Sequence, residues 1–173
     1  NKISGEFFLL VYYRVHRDRP SPRRPSPTRR PSDLIGNGGL GFIGWFMKKA
    51  VLGETIEVFG DGAQHRDFDY VDDVVDAFLR AGASEASNGQ VFNLGGGAPI
   101  SLLDLATDLV RLSGHGGLKV VPFPEERKKI DIGDFYSDAG KIERVLGWKS
   151  TTKFEDGLIR TIDYYKKHKD RYL

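Results

Sequence analysis

Between Arg14 and Ser32 the chain carries seven arginines (Arg14, Arg17, Arg19, Arg23, Arg24, Arg29 and Arg30) and five prolines (Pro20, Pro22, Pro25, Pro27 and Pro31), against one acid, Asp18. Proline removes a backbone donor and pushes the residue before it out of helix. Almost nothing apolar accompanies these residues, so residues 14–35 are expected to form an extended, mobile linker. A folded body must be built from residues 36–173, with the apolar run in residues 1–13 as a residual strand of a preceding domain. The local charge of +6 over residues 14–32, in a chain of net +2, leaves −4 elsewhere, so the body is mildly acidic. A nucleic-acid or polyproline-ligand tail is the alternative reading of the linker. It lacks interleaved aromatics and a folded basic surface, so no nucleic-acid partner is expected.

At 173 residues the chain is long enough for a compact domain with a real core. The absence of cysteine excludes disulfides and thiolate chemistry. No apolar run approaches the roughly 20 residues that span a bilayer, and the N-terminus has no secretory pattern, so a cytoplasmic protein with no membrane partner is expected.

Short strands alternate with helices along the body, which predicts α/β architecture. Gly5–Tyr13 (GEFFLLVYY) reads as a buried strand. Phe42–Val51 has helical spacing, with Gly53 as a stop. Thr55–Phe59 (TIEVF) alternates like a strand and runs into the turn Gly60-Asp61-Gly62. Val71–Ala83 reads as a helix with Val74, Val75, Phe78 and Leu79 on one face and Asp72 and Asp73 in its first turn. Gln90–Leu94 is expected to be a strand ending in Gly95-Gly96-Gly97. Ser101 caps a helix to about Leu112, and residues 118–123 form a strand. Ser137 is expected to cap a helix through Val145 that closes at Gly147, and Thr152 with Glu155 to form a capping box opening the last helix.

Three ordered stretches resemble the extended short-chain dehydrogenase/reductases that act on nucleotide sugars, UDP-glucose 4-epimerases and NDP-sugar 4,6-dehydratases among them. They are IEVFGDGAQHRDFDYVDDVVDAFLRA (56–81), GQVFNLGGGAPISLLDLA (89–106) and IDIGDFYSDAGKIERVLGWKSTTKFEDGL (130–158). The resemblance implies the C-terminal, substrate-binding portion of an extended Rossmann-type epimerase/dehydratase. It implies NAD as the cofactor of the full-length family, and a UDP- or dTDP-hexose as substrate. The family reaction is oxidation at the sugar C4 by NAD, followed by re-reduction or loss of water.

By the same resemblance Arg66 grips the substrate diphosphate, a task suited to a planar guanidinium. Its structural alternative is a surface arginine paired with Asp67 or Asp69. Val58 and Phe59 are implied to line the base pocket, although plain strand core would look the same. Asn93 is implied to face the nucleotide, or else ties the strand end to the glycine turn. Asp69, Tyr70, Asp72 and Asp73 are read as structural. Many relatives carry a second phosphate-binding arginine three residues before the aspartate of an Arg-x-Gly-Asp motif. Here Asp131 holds that place, and Arg127, beside Lys128 and Lys129, is the candidate substitute.

The family's tyrosine–lysine pair, four residues apart, does not occur in the matched region, so no catalytic residue is assigned. Tyr165 with Lys169 has the spacing but follows the sugar-binding motifs. Gly39, Gly41 and Gly44 match Gly-x-Gly-x-x-Gly, with Asp61 about 20 residues on, yet residues 33–35 offer no buried strand before them. They are read as a glycine-rich loop entering a helix, with an NAD-binding turn as the lesser alternative. The chain is therefore expected to be inactive alone, and to be completed by an N-terminal domain or to form a homo-oligomer. A non-catalytic nucleotide-sugar-binding module, or an inert or interaction fragment, are the rival classes. No metal site is expected.

Overall fold

The computed structural model describes residues 42–125 and 133–172. The apolar run at 5–13, the linker at 14–35, Gly39, Gly41, Arg127, Lys128, Lys129 and Asp131 lie outside the described residues. In chain order the elements are α1 (Phe42–Leu52), β1 (Thr55–Phe59), β2 (His65–Arg66), α2 (Val71–Ala83), a 3-10 turn (Glu85–Ser87), β3 (Ile100–Ser101), α3 (Leu102–Ser113), β4 (Gly117–Val121), α4 (Gly140–Leu146), α5 (Phe154–Lys167) and α6 (Lys169–Tyr172). They fall into two compact units. Of the described residues, the first takes 67–98 and 136–152, and the second takes the rest.

In the second unit β1 pairs in parallel with β4, Ile56 opposite Leu118 and Val58 opposite Val120. Parallel neighbours need a crossover, and α3 lies on it. This is the α/β arrangement expected from the sequence. Ile56 and Val58 are fully buried, as are Leu105 and Leu109 of α3. α1 contributes Phe46, Met47, Ala50 and Val51, and α5 contributes Leu158, Ile162 and Tyr165. Ser101 caps α3 as expected: its Oγ accepts from the Asp104 amide at 3.0 Å and donates to the Asp104 carboxylate at 2.6 Å. Antiparallel pairing of β2 with β3 sets His65 opposite Ser101 and Arg66 opposite Ile100.

The first unit is built around Ala77, Ala81, Phe92, Leu94, Ile142 and Trp148. Trp148 donates its indole N–H to the Asp73 carbonyl at 2.9 Å. The Asp73 carboxylate, nearly buried, accepts from the Ser150 and Thr151 hydroxyls and from the Thr151 and Thr152 amides. Burial alone would raise the pKa of Asp73, but the hydrogen bonds from Thr152 and Thr151 outweigh it and hold the carboxyl below its ordinary value.

Four local expectations are corrected. Residues 90–96 alternate exposed Val91 and Asn93 with buried Phe92 and Leu94, the side-chain period of a strand, yet they form no strand ladder with the described residues. On α2 the buried face carries Asp73, Ala77 and Ala81, while Val75 and Leu79 are exposed and Val74 and Phe78 only partly covered. The small alanines give that face a flat surface for large aromatics. Ser137 does not cap α4; its amide donates to the Asp67 carboxylate at 2.9 Å, and Ala139 stands at the cap position. The helix starts three residues later, beside an Asp138 side chain that accepts from the Gly140 amide. Thr152 forms no capping box, since its amide serves Asp73, and α5 opens after Lys153 without a side-chain cap.

Candidate functional site

Arg66 sits in the second unit on the two-residue strand β2, reached from β1 through the turn at Gly60–Gly62. The turn depends on glycine. At Gly62, which has φ 69°, an added Cβ would stand 2.7 Å from Val58 Cγ1 and 2.9 Å from Leu103 Cβ. The main chain is then fixed to α3, with the Leu103 amide donating to the Gly62 carbonyl and the Leu102 amide to the Gln64 carbonyl. Arg66 therefore follows a sharply defined path.

One guanidinium nitrogen holds the side chain in place. Nη1 donates to the His65 carbonyl at 2.7 Å and to the Gly133 carbonyl at 2.5 Å. Nε and Nη2 make no hydrogen bond to the described residues, and Arg66 makes no ion pair with them. A half-buried guanidinium pinned at one corner, its other donors unengaged by the described residues, can offer two parallel N–H groups to an oxyanion. On the far side of β2 lie Asp134 and Phe135. The Phe135 amide donates to the His65 carbonyl at 3.0 Å, and the Asp134 carboxylate accepts from the His65 amide at 2.7 Å. That amide bond holds the Asp134 carboxyl below the usual carboxylate range. Arg66 makes no ion pair with Asp67 or Asp69, and its charge acts instead on the Asp134 carboxyl.

Val58 is fully buried, so only its backbone could face a ligand. Phe59 is half-buried and packs against Phe123, with ring centroids 5.9 Å apart and planes at 53°. Asn93 belongs to the first unit and is exposed. Thus Val58, Phe59 and Arg66 share one unit and Asn93 lies on the other. Sequence reasoning missed His65, Gly133, Asp134 and Phe123. The signal for two of them was in view: the DIGD stretch, noted only for lacking an arginine, supplies the Gly133 carbonyl and the Asp134 carboxylate.

In the first unit the acids Asp67, Asp69 and Asp73 differ in their partners. Asp67 and Asp73 receive the bonds already described. Asp69 Oδ1 is buried without a hydrogen-bond partner among the described residues. Burial, and then the charges of Asp67 and Asp73, push the Asp69 carboxyl up to about 6. Gly96 makes this approach possible, since a Cβ there would overlap the Phe68 carbonyl oxygen and meet Asp69 Oδ1 at 2.5 Å.

Tyr165 is a core residue of α5, with little of its surface open. Of the three spaced glycines only Gly44 is described. It lies in the first turn of α1, and Asp61, the acid that would meet a ribose, accepts from the Ala63 amide in its own turn. Among the described residues no group of three His, Cys, Asp or Glu could hold a metal ion, and no helix is long and apolar enough to cross a membrane.

Parallel strands joined through a helix are the arrangement of Rossmann-type α/β proteins. Comparison with known proteins makes the class specific. The sequence profile of the NAD dependent epimerase/dehydratase family matches residues 28–95. A UDP-glucose 4-epimerase from Mycolicibacterium smegmatis is 31% identical over 165 residues, covering 95% of this chain and 51% of that protein. The Thermotoga maritima UDP-glucose 4-epimerase solved with UDP-glucose superposes with a TM-score of 0.68 at 29% identity, over 77% of this chain and 42% of that one. A dTDP-glucose 4,6-dehydratase from Streptomyces venezuelae, with NAD and TYD bound, gives 0.65 at 27% identity, over 75% and 39%. The chain belongs to the NAD-dependent epimerase/dehydratase family and spans about half the length of the curated relatives it matches.

Proposed function

We propose that this chain is the C-terminal, substrate-binding part of an NAD-dependent nucleotide-sugar epimerase/dehydratase, and that alone it does not turn over substrate. One observation carries the reading: Arg66 is pinned through Nη1 to two carbonyls, while Nε and Nη2 make no hydrogen bond to the described residues. Such a guanidinium suits a diphosphate, which can take two parallel N–H donors. Phe59, at the end of β1 and before the same glycine turn, would contact the base, with Val58 contributing backbone. Asn93 would face the nucleotide, and Arg127 would supply the second positive charge that the DIGD stretch lacks. The ligand class is a UDP- or dTDP-hexose, after the molecules named with the relatives. NAD is the cofactor of the family, and its binding is assigned to residues other than those described. The role of this chain is therefore to hold and orient the sugar nucleotide.

Calorimetric titration of the chain with UDP, UDP-glucose, dTDP-glucose and NAD tests the reading. Saturable binding of a nucleotide or nucleotide sugar, without NAD binding, is the expected result. Arg66→Ala should then weaken nucleotide binding by about 1.5–3 kcal/mol, the value of a charge-assisted contact. Unchanged affinity in that variant would remove Arg66 from the site. Epimerisation by the chain with added NAD would overturn the inactive assignment.

A further inference from the structure

We propose that Asp134 is a positioning residue for Arg66, its carboxylate standing in for a backbone carbonyl on one edge of β2. The proposal rests on the reading of Arg66 as a phosphate ligand, and its test separates the two.

A two-residue strand with a two-residue partner has little of its own to hold it. On one edge β2 meets β3. On the other edge the neighbouring chain is Gly133–Phe135, joined to it by a parallel bridge between Arg66 and Phe135. That chain gives one true backbone bond to His65, from the Phe135 amide to the His65 carbonyl at 3.0 Å. The bond in the other direction, from the His65 amide, goes to Asp134 Oδ1 at 2.7 Å. A side-chain oxygen thus fills the place of a backbone carbonyl. The same oxygen lies 3.5 Å from His65 Nδ1, so both donors of His65 converge on Asp134.

The consequence passes directly to the arginine. The His65 amide and carbonyl flank one Cα, so fixing the first restrains the second. That carbonyl is one of the two acceptors of Arg66 Nη1, and the other is Gly133, the residue before Asp134. Asp134 therefore sets the direction of the carbonyls that hold the guanidinium, without touching the guanidinium itself. Among the described residues, His65 and Arg66 are the charged or titratable groups that act on the Asp134 carboxyl.

Nitrogen-detected NMR of the arginine side chains tests the proposal on the chain itself, with no ligand needed. In the parent protein, pinning of Nη1 should slow rotation about the guanidinium bond and give Arg66 two resolved Nη signals, assigned by their loss in Arg66→Ala. Asp134→Ala should merge them. Asp134→Glu, which keeps the charge but displaces the oxygen, should merge them too, whereas Asp134→Asn, which keeps an acceptor in place, should leave them resolved. Distinct signals in both Asp134→Ala and Asp134→Glu would overturn the proposal, as would merged signals in Asp134→Asn. If one variant fails to fold, the other carries the same prediction.

Titration with UDP adds the link to binding. Asp134→Ala and Asp134→Glu should weaken UDP roughly five- to tenfold, and Asp134→Asn should restore it to near the parent value. If the parent chain binds no UDP, the phosphate reading of Arg66 fails while the NMR result still decides the role of Asp134.

Discussion

Asp69 and Asp73 lie four residues apart and respond to acid in opposite directions. The folded state raises the Asp69 pKa from 3.8 to about 6, so folding favours its protonated form. That contribution is complete below about pH 4 and lost as pH rises through 6. Asp73 is held below its ordinary value, so its contribution is present above about pH 4 and lost on acidification through its lowered pKa. The first unit should therefore be most stable between about pH 4 and 6 as far as these two acids decide. Asp69→Asn should remove the upper limb: urea unfolding followed by Trp148 fluorescence would show a variant more stable than the parent at pH 8 and nearly equal to it at pH 5. An Asp69→Asn protein that lost stability at pH 8 would show that the buried oxygen is satisfied after all. The sequence reading made these acids structural, and for Asp73 that was legible from its place in a helix's first turn. The hydroxyls and amides that serve it come from Ser150, Thr151 and Thr152, nearly 80 residues on, and no local pattern announces a contact of that range.

Helix α2 shows what periodicity can and cannot tell. Its bounds, Val71–Ala83, follow from spacing and from the acids at its start. Its buried face does not. The hydrophobic count favours the side with Val75 and Leu79, but a helix seats closest where side chains are short, and here Ala77 and Ala81 share a cluster with Phe92 and Trp148. Substitutions should tell the faces apart. Leu79→Lys, at a position 67% exposed, should shift unfolding free energy by less than about 0.5 kcal/mol, while Ala77→Leu, at a position with no exposure, should cost about 2 kcal/mol or more in urea titration. Ser137 and Thr152, which do not cap as expected, share a long-range tie: each residue's amide goes to a carboxylate some 70–80 positions earlier in the chain, Asp67 for the one and Asp73 for the other. Ser101 caps α3 as read because its acid is three residues away and nothing distant competes. Around Arg66 the near neighbours were legible and the far side of β2 was not, since the pairing with Asp134 and Phe135 spans 69 positions.

At the scale of the whole molecule, each unit is assembled from separate stretches, and the chain passes from one to the other after Arg66, Ala98, Phe135 and Thr152. The last helix α5 belongs with α1 and α3, not with the residues just before it. A chain ending at Thr152 should thus lose Leu158, Ile162 and Tyr165 from the second unit. Hydrogen exchange should then open β1 and α3 while amides of α2 and α4 keep more of their protection. Equal loss in both would mean that the two unfold as one. The same interlacing bears on how such a chain can be inherited. No single breakpoint in a gene parts one unit from the other, and recombination that swaps a front for a back anywhere between Asp67 and Thr152 must cut through both. A lineage can lengthen a loop or trade side chains freely, but it has to pass these residues on together.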